Sequence, residues 1–205
     1  MWTGRDWRVL SASDLNMRCS YRLILLFVVC LQPLPVYADE GTNNTIEQIE
    51  RELEEWRYPL LADVQQDKNN HLTEFTTDGC SGGLSDGWRY LARKLPVFKE
   101  KFGDKPPYEA CCVTHDRAYW RGETENGFEK RLQADEALQQ CVAEFGKMHR
   151  DEFAKEFSLS PQAIERNFVI VAALMYRAVR VGGIPCTDFT WRWGYGWPSC
   201  KEQDD

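Results

Sequence analysis

The side chains best suited to chemistry lie in one run, CCVTHDRAY, at positions 111–119. On a helix, His115 and Tyr119 are four residues apart and share a face. A second run, ADEALQQC at positions 134–141, contributes Asp135. A carboxylate that holds one ring nitrogen of a histidine leaves the other nitrogen free to act as a general base. These residues therefore predict general-base chemistry wherever the fold brings the two runs together.

Two neighbouring helices would bring them together. The sequence predicts one helix over Glu109–Trp120 and another over Phe128–Phe145, with Gly146 at its end. Because the connection between them is short, the two helices are expected to pack antiparallel.

A disulfide would set the register of this pair. If Cys111 bonds Cys141, His115 lies about 6 Å along from the bridge, Asp135 about 9 Å and Tyr119 about 12 Å, at a rise of about 1.5 Å per residue. The carboxylate would then fall between the imidazole and the phenol, and could hydrogen-bond to both.

Asp116 points in a different direction from its neighbour and suits a metal ligand. It lies four residues from Cys112, so the two share a face. If Cys112 bonds Cys80, the loop TTDGCSGGLSDG at positions 76–87 is held beside the Asp116 carboxylate. Backbone carbonyls and a bidentate carboxylate are the hard oxygen ligands that calcium prefers. Such an ion would neutralise the negative charge that develops on an ester oxygen during hydrolysis.

Together these motifs resemble the secreted phospholipase A2 superfamily. Its hallmark is Cys-Cys-x-x-His-Asp-x-x-Tyr on one helix and an aspartate six residues before a cysteine on the next. The resemblance covers residues 78–141 and implies that His115 activates a water molecule while Asp135 and Tyr119 orient it. It also implies calcium as the cofactor, with these ligands: Asp116 and the loop carbonyls of Gly79, Ser81 and Gly83.

The chain departs from the animal members of that family in identifiable ways. Ser81 stands where they usually have glycine, and Ala118 and Ala134 stand where their second helix–helix disulfide would fall. The histidine-to-aspartate spacing is much shorter, because a β-hairpin wing is missing. The chain is therefore more similar to the compact bacterial and fungal members.

The whole composition is compatible with an exported enzyme. The 205 residues include 25 basic and 32 acidic side chains, a net charge of −7, and 43% are hydrophobic, enough to form a core. This acidic balance argues against nucleic-acid binding. Neither composition nor motif points to a protein partner.

An uncharged stretch, Leu23–Ala38, predicts export. It is 16 residues long and contains two prolines, whereas a spanning helix needs about 20 apolar residues. We therefore expect residues 1–38 to be a signal peptide, with a possible true start at Met17, and residues 39–205 to form a single secreted or periplasmic domain. An uncleaved membrane anchor is the alternative.

After cleavage near Ala38 an even number of cysteines remains, which indicates three disulfides in an oxidising compartment. The six are Cys80, Cys111, Cys112, Cys141, Cys186 and Cys200. The sequence by itself leaves about fifteen connectivities open; the pairings that the motifs favour are 80–112, 111–141 and 186–200.

Further helices complete a mostly α, disulfide-stapled fold. Four apolar residues recur at helical spacing and predict a helix to about Tyr58 that ends before Pro59: Ile46, Ile49, Leu53 and Trp56. A helix interrupted by proline is predicted over Trp88–Phe102. Another begins at Ser160-Pro161 and runs to about Val181. Arginines near both ends of that last helix favour a core helix over a membrane element.

An aromatic run at positions 190–198 lies between the last two cysteines. Its Trp and Tyr side chains could seat the protein at a lipid–water interface, or could cover the back of a small core.

The resemblance implies calcium-dependent hydrolysis of the sn-2 acyl ester of glycerophospholipids at a membrane or micelle surface, without a covalent acyl-enzyme. The alternative is a catalytically weak lipid-binding or membrane-active module on the same scaffold, and a third is an anchored structural protein. His115 could instead be structural or a zinc ligand, although adjacent oxidised cysteines supply tetrahedral zinc geometry poorly. Asp116 could be an ordinary surface carboxylate.

Overall fold

The computed structural model describes residues 40–80, 89–90, 92–94, 96, 99–100 and 103–200, with side chains from Thr45 onward. Most of these residues are helical and none of them lies in a strand, which confirms the mostly α class. Six helices have defined bounds: α1 Glu40–Glu54, α2 Arg57–Gln66, α3 Glu109–Arg121, α4 Gly127–Met148, α5 Arg150–Phe157 and α6 Pro161–Gly182. The expected signal peptide lies outside the described residues. The chain divides after Thr42, and the contacts below belong to the unit that begins at Asn43.

Three disulfides link these elements, and all three favoured pairings are confirmed. Cys111–Cys141 joins α3 to α4, Cys80–Cys112 ties the preceding segment to α3, and Cys186–Cys200 closes the tail. Their Cα–Cα distances of 5.0 to 5.8 Å are ordinary for such bridges.

Helices α3 and α4 form the expected antiparallel pair. The bridge joins the start of α3 to the middle of α4, while the far ends are connected by residues 122–126. The turn depends on Gly122, which ends α3 in the left-handed region with φ of +60°. A Cβ there would lie 2.2 Å from Cα of Gly194, so the tail can pass closely only over a glycine.

Helix α4 runs further than the sequence predicted, because Gly146 does not end it. The helix continues to Met148, and Gly146 lies where α6 crosses. A Cβ at this position would lie 2.1 Å from Cβ of Phe168, so the missing side chain allows the close approach of the two helices. The main core lies along this crossing and includes Leu138, Val142, Ala172 and Met175.

The prediction for the N-terminal helix placed its C-terminal end wrongly, and the apolar residues behind it do not form the buried face. Helix α1 ends at Glu54, and α2 begins at Arg57 with Pro59 in its first turn, where no backbone N–H is needed for helical hydrogen bonding. The four periodic apolar residues are between 38% and 57% exposed. The protein instead buries Glu54, together with most of Glu50, against α4 and α6.

Other helical expectations had mixed outcomes. Helix α6 begins at Pro161 as expected, and the side chain of Ser160 caps it by accepting a hydrogen bond from the Ala163 N–H. The described residues between 89 and 100 are helical, within the predicted 88–102 element. The short, polar helix α5 was not predicted. Within the described residues, none of the helices combines the length and the apolar character that a bilayer span requires.

The aromatic tail packs on α3. Trp193 is 2% exposed, and its ring lies 5.1 Å from that of Tyr119. Two backbone amides of the tail, those of Gly194 and Gly196, donate to carbonyls at the end of α3. The sequence left two roles open for the aromatic run, binding at a lipid–water interface and covering the core. Trp193 has the second of these roles.

Candidate active site

His115 and Asp135 lie in direct hydrogen-bonding contact between α3 and α4. Nε2 of His115 is 2.8 Å from Oδ1 of Asp135, and the two residues are 6% and 0% exposed. An ionised carboxylate can only accept hydrogen bonds, so this contact requires the proton on Nε2. The lone pair of Nδ1 is then free to take a proton.

Tyr119 shares the same carboxylate oxygen. Its hydroxyl donates to Oδ1 of Asp135 at 2.7 Å, and its ring lies 4.1 Å from the imidazole of His115. Burial, with the neighbouring Asp135 charge, raises the pKa of Tyr119 well above its ordinary value. The phenol therefore stays protonated and remains a donor.

Two buried arginines, which sequence reasoning missed, occupy the other carboxylate oxygen. Nη1 of Arg180 donates to Oδ2 of Asp135 at 3.1 Å, and Nη1 of Arg131 lies 3.4 Å from the same atom. Arg131 also donates to the Tyr119 hydroxyl at 3.1 Å. Asp135 is thus held at both oxygens, by donors from α3, α4 and α6.

Helix α1 supplies the counter-charges for these arginines. Glu54 accepts a hydrogen bond from Nη2 of Arg131, and its other oxygen forms an ion pair with Nη2 of Arg180 at 3.5 Å. Glu50 accepts from Nε of Arg180 at 3.0 Å. The side chains of Glu54, Arg131, Asp135 and Arg180 are at most 1% exposed. Charges so deeply buried require this pairing, because an isolated buried charge is very unfavourable.

Weak local signals for this cluster were present in the sequence. Arg131 stands four residues before Asp135, and Glu50 four residues before Glu54, so each pair shares a helix face. The contacts that assemble the cluster, however, join residues far apart in sequence: 45 positions for Arg180 and Asp135, and 77 for Arg131 and Glu54. Helical spacing carries no information at such separations.

The electrostatic environment of His115 favours its protonated form. Burial acts to lower the pKa of His115, but the neighbouring Asp116 and Asp135 carboxylates outweigh it and raise the pKa above the ordinary value. Asp116 acts here as a nearby charge, since its Oδ1 lies 3.7 Å from Nδ1, too far for a hydrogen bond.

Asp116 lies where the glycine-rich loop begins, next to the histidine. The Thr77 hydroxyl donates to Oδ2 of Asp116 at 2.5 Å, and the Gly79 amide donates to the same hydroxyl at 3.0 Å. Gly79 adopts φ of +83° and precedes the Cys80–Cys112 bridge. The described start of the loop, residues 76–80, is therefore attached to α3 both by the disulfide and through Thr77.

The expected calcium ligands are only partly described. Asp116 and Gly79 are each hydrogen-bonded to the Thr77 hydroxyl, whereas Ser81 and Gly83 fall outside the described residues. In the part of the chain that is described, no three His, Cys, Asp or Glu side chains gather to hold a metal. The described part of the donor set, the buried Asp116 carboxylate and the backbone of Gly79, has the hard-oxygen chemistry that fits calcium.

An apolar pocket of about 230 Å³ opens beside the histidine. Its polar lining residues are His115, Asp116 and Tyr119, and the Cys80–Cys112 bridge also lines it. The remaining lining is apolar: Leu138, Leu174, Met175, Ala178, Val179 and Trp191. An apolar group could therefore occupy the pocket beside the imidazole.

Neither a family model, nor a curated protein, nor a solved structure matches this chain. Function must therefore be inferred from the site itself.

Proposed function

We propose that this protein is a calcium-dependent ester hydrolase of the phospholipase A2 type, with the corresponding fold, which acts on glycerophospholipids at a membrane or micelle surface after export. The observation that supports it most is the contact of His115 and Tyr119 with a single oxygen of Asp135, in the lining of a mostly apolar pocket. A general base next to an apolar cavity suits hydrolysis of an ester that carries a long acyl chain.

In the proposed reaction, Nδ1 of His115 takes one proton from a water molecule as the water oxygen attacks the ester carbonyl carbon. Asp135 keeps the ring oriented and stabilises the imidazolium that forms. When the tetrahedral intermediate collapses, the bond to the alcohol oxygen breaks and the imidazolium returns its proton to that oxygen. Asp116 and the loop carbonyls would hold calcium, which would supply positive charge for the developing oxyanion.

Direct attack by water agrees with the composition of the pocket. Among its described lining residues there is no serine or threonine, and both cysteines are bonded to each other. A hydroxyl or thiol nucleophile of the serine, threonine or cysteine type is therefore absent from the described lining.

The proposal is tested with micelles of a phosphatidylcholine that carries different acyl chains at sn-1 and sn-2. We expect release of the sn-2 fatty acid, loss of that release in EGTA and recovery with excess calcium. Release that continues unchanged in EGTA would reject the calcium dependence. Release of the sn-1 acid alone would reject the positional assignment, which comes from the resemblance.

A second candidate is a lipid-binding module with little or no turnover. It is favoured by the Thr77 hydroxyl, which occupies the Oδ2 atom of Asp116 that bidentate calcium binding would use. The same apolar pocket would hold an acyl chain without cleaving it.

Calcium-dependent thermal stability separates the two candidates. An enzyme with a functional site should gain about 2.7 kcal/mol of stability at calcium a hundredfold above its dissociation constant. Asp116→Asn should abolish that gain. The binding module would melt at the same temperature with calcium and with EGTA, yet would still bind phospholipid micelles.

A further inference from the structure

Asp135 connects the candidate catalytic histidine to a cluster of buried charges in the interior of the protein. Its Oδ1 accepts hydrogen bonds from His115 and Tyr119, and its Oδ2 faces the guanidinium groups of Arg131 and Arg180. A carboxylate held at only one oxygen can rotate about its Cβ–Cγ bond. Donors on the opposite oxygen oppose that rotation and keep Oδ1 directed at the imidazole.

Arg131 acts on both partners of the histidine. The same Nη1 atom lies 3.1 Å from the Tyr119 hydroxyl, 3.4 Å from Oδ2 of Asp135 and 3.1 Å from the Val179 carbonyl. Because the Tyr119 hydroxyl accepts from Arg131, its own proton is directed to Oδ1 of Asp135. Arg131 therefore sets the direction of the phenol as well as that of the carboxylate.

Arg180 is anchored independently by α1. Its Nε donates to Glu50, its Nη2 forms an ion pair with Glu54, and its Nη1 reaches Asp135. The planar guanidinium presents these donors in a fixed fork, which a lysine ammonium cannot reproduce. The rigid guanidinium of Arg180 therefore links the Asp135 carboxylate to the glutamates of α1.

Stability alone does not account for such a cluster. Replacing a buried ion pair by apolar side chains of similar volume is often neutral or stabilising, so buried charges are weak evidence of a stabilising role. The arginines stand behind Asp135, and neither belongs to the pocket lining. A role for them in the reaction must therefore act through Asp135 and Tyr119.

We propose that Arg131 and Arg180 are positioning residues, which hold Asp135 so that His115 keeps its proton on Nε2 and its lone pair on Nδ1, with Glu54 of α1 as their shared counter-charge. The inference rests on the proposed function for its effect on turnover. Its structural part, the tautomer of His115, can be measured whether or not the protein is an enzyme.

The test uses the full mature chain with ¹⁵N-labelled histidine. The chain has three histidines, so the ring nitrogen signals of His115 can be assigned by comparison with His115→Gln. At a fixed pH at which the ring is neutral, we expect wild type to show the proton on Nε2. Arg180→Met should reduce the Nε2–H population, and Arg180→Lys should lie between the two.

Turnover provides the second readout. We expect kcat of Arg180→Met to fall about a hundredfold, the loss that a misplacement of about 1 Å can cause. KM should change little, because neither arginine lines the pocket. The kcat of Arg180→Lys should fall less than that of Arg180→Met, since lysine keeps the positive charge but lacks the planar array of guanidinium donors.

A matched control loses a buried arginine elsewhere. Arg192 is 7% exposed and donates to the Trp197 carbonyl, without contact to Asp135. Arg192→Met should destabilise the protein while leaving the tautomer of His115 intact. A tautomer change of equal size in this control would show that loss of packing alone causes it, and would overturn the proposal.

If a single arginine variant does not fold, a double variant that also removes one opposite charge can be tested in its place. The double variant Glu54→Gln/Arg131→Met removes one charge of each sign and should fold better than Arg131→Met alone. It should still show reduced Nε2–H, since Tyr119 and Asp135 have lost Arg131. The inference would be overturned if either the double variant or Arg180→Met folds and keeps both the His115 tautomer and the kcat of wild type. If wild type releases no fatty acid but the tautomer shifts as expected, the proposed function fails and the positioning role stands.

Discussion

At the scale of single residues, the site depends on how one carboxylate distributes its two oxygens. Oδ1 of Asp135 accepts hydrogen bonds from His115 and Tyr119, and Oδ2 faces the two arginines. The first half could be predicted, because i,i+4 spacing and a shared disulfide register place His115, Tyr119 and Asp135 along two facing helices. The second half could not, because its arginines and glutamates meet only through tertiary packing.

Tyr119→Phe tests the shared oxygen. The change removes a donor to Asp135 and an acceptor for Arg131, so we expect about 1–3 kcal/mol loss of unfolding free energy. We also expect kcat to fall by about tenfold while the KM stays within twofold, since the ring itself still lines the pocket. Chemical denaturation and initial rates check this. A variant as stable and as active as wild type would contradict the shared-oxygen geometry.

The titration of His115 tests its environment in the metal-free protein. Because the neighbouring carboxylates raise the pKa of His115 above its ordinary value of 6.5, NMR titration in EGTA should give a midpoint above 6.5. The sign follows from linkage: this group stabilises the native state below its unfolded pKa, and the contribution is lost as the pH rises through the folded pKa. A midpoint below 6.5 in EGTA would mean that burial, not the carboxylates, dominates.

At the scale of helices, close approach determines where the site residues lie. Periodicity and capping signals located α3, α4 and α6, but periodicity did not show that α1 buries Glu54 and most of Glu50. That choice depends on Arg131 and Arg180, which lie on other helices. Gly146 was misread as a helix end because a glycine required for packing and one required for a turn look alike in sequence.

Two glycine variants separate packing from function. A Cβ at Gly146 would meet Phe168 at 2.1 Å, and one at Gly183 would lie 2.6 Å from the Tyr119 hydroxyl. We expect Gly146→Ala and Gly183→Ala each to lower stability by about 1–3 kcal/mol through overpacking. Only Gly183→Ala should also lower kcat, because it displaces Tyr119. Equal activity of the two folded variants would contradict this, and Glu144→Ala, exposed on α4, serves as the neutral control.

At the scale of the whole molecule, disulfides and the aromatic tail hold the helices in place. The number of disulfides followed from the even number of cysteines, whereas the pairing depended on helix geometry that the cysteines alone do not reveal. The tail was ambiguous because Trp and Tyr suit both an interface and a core. Trp193 lies in the core, while Trp191 lines the pocket.

Removing the tail bridge tests its contribution. Cys186 and Cys200 close a loop of sequence separation 14, so the double serine variant should lose about 2–4 kcal/mol of stability. Thermal unfolding should show the loss as a lower melting temperature. An unchanged melting temperature would mean that the hydrogen bonds from the tail to α3 suffice without the bridge.

The most direct test of the account compares His115→Gln with His149→Gln. His149 stacks on Phe145 and pairs with Glu152 at the surface, away from the pocket, so the two variants differ in position but not in chemistry. With calcium present, the initial rate of sn-2 fatty-acid release should fall by about 10²–10⁴-fold for His115→Gln and stay within twofold of wild type for His149→Gln. A folded His115→Gln protein that releases fatty acid at the wild-type rate would contradict the central claim that this histidine activates the attacking water.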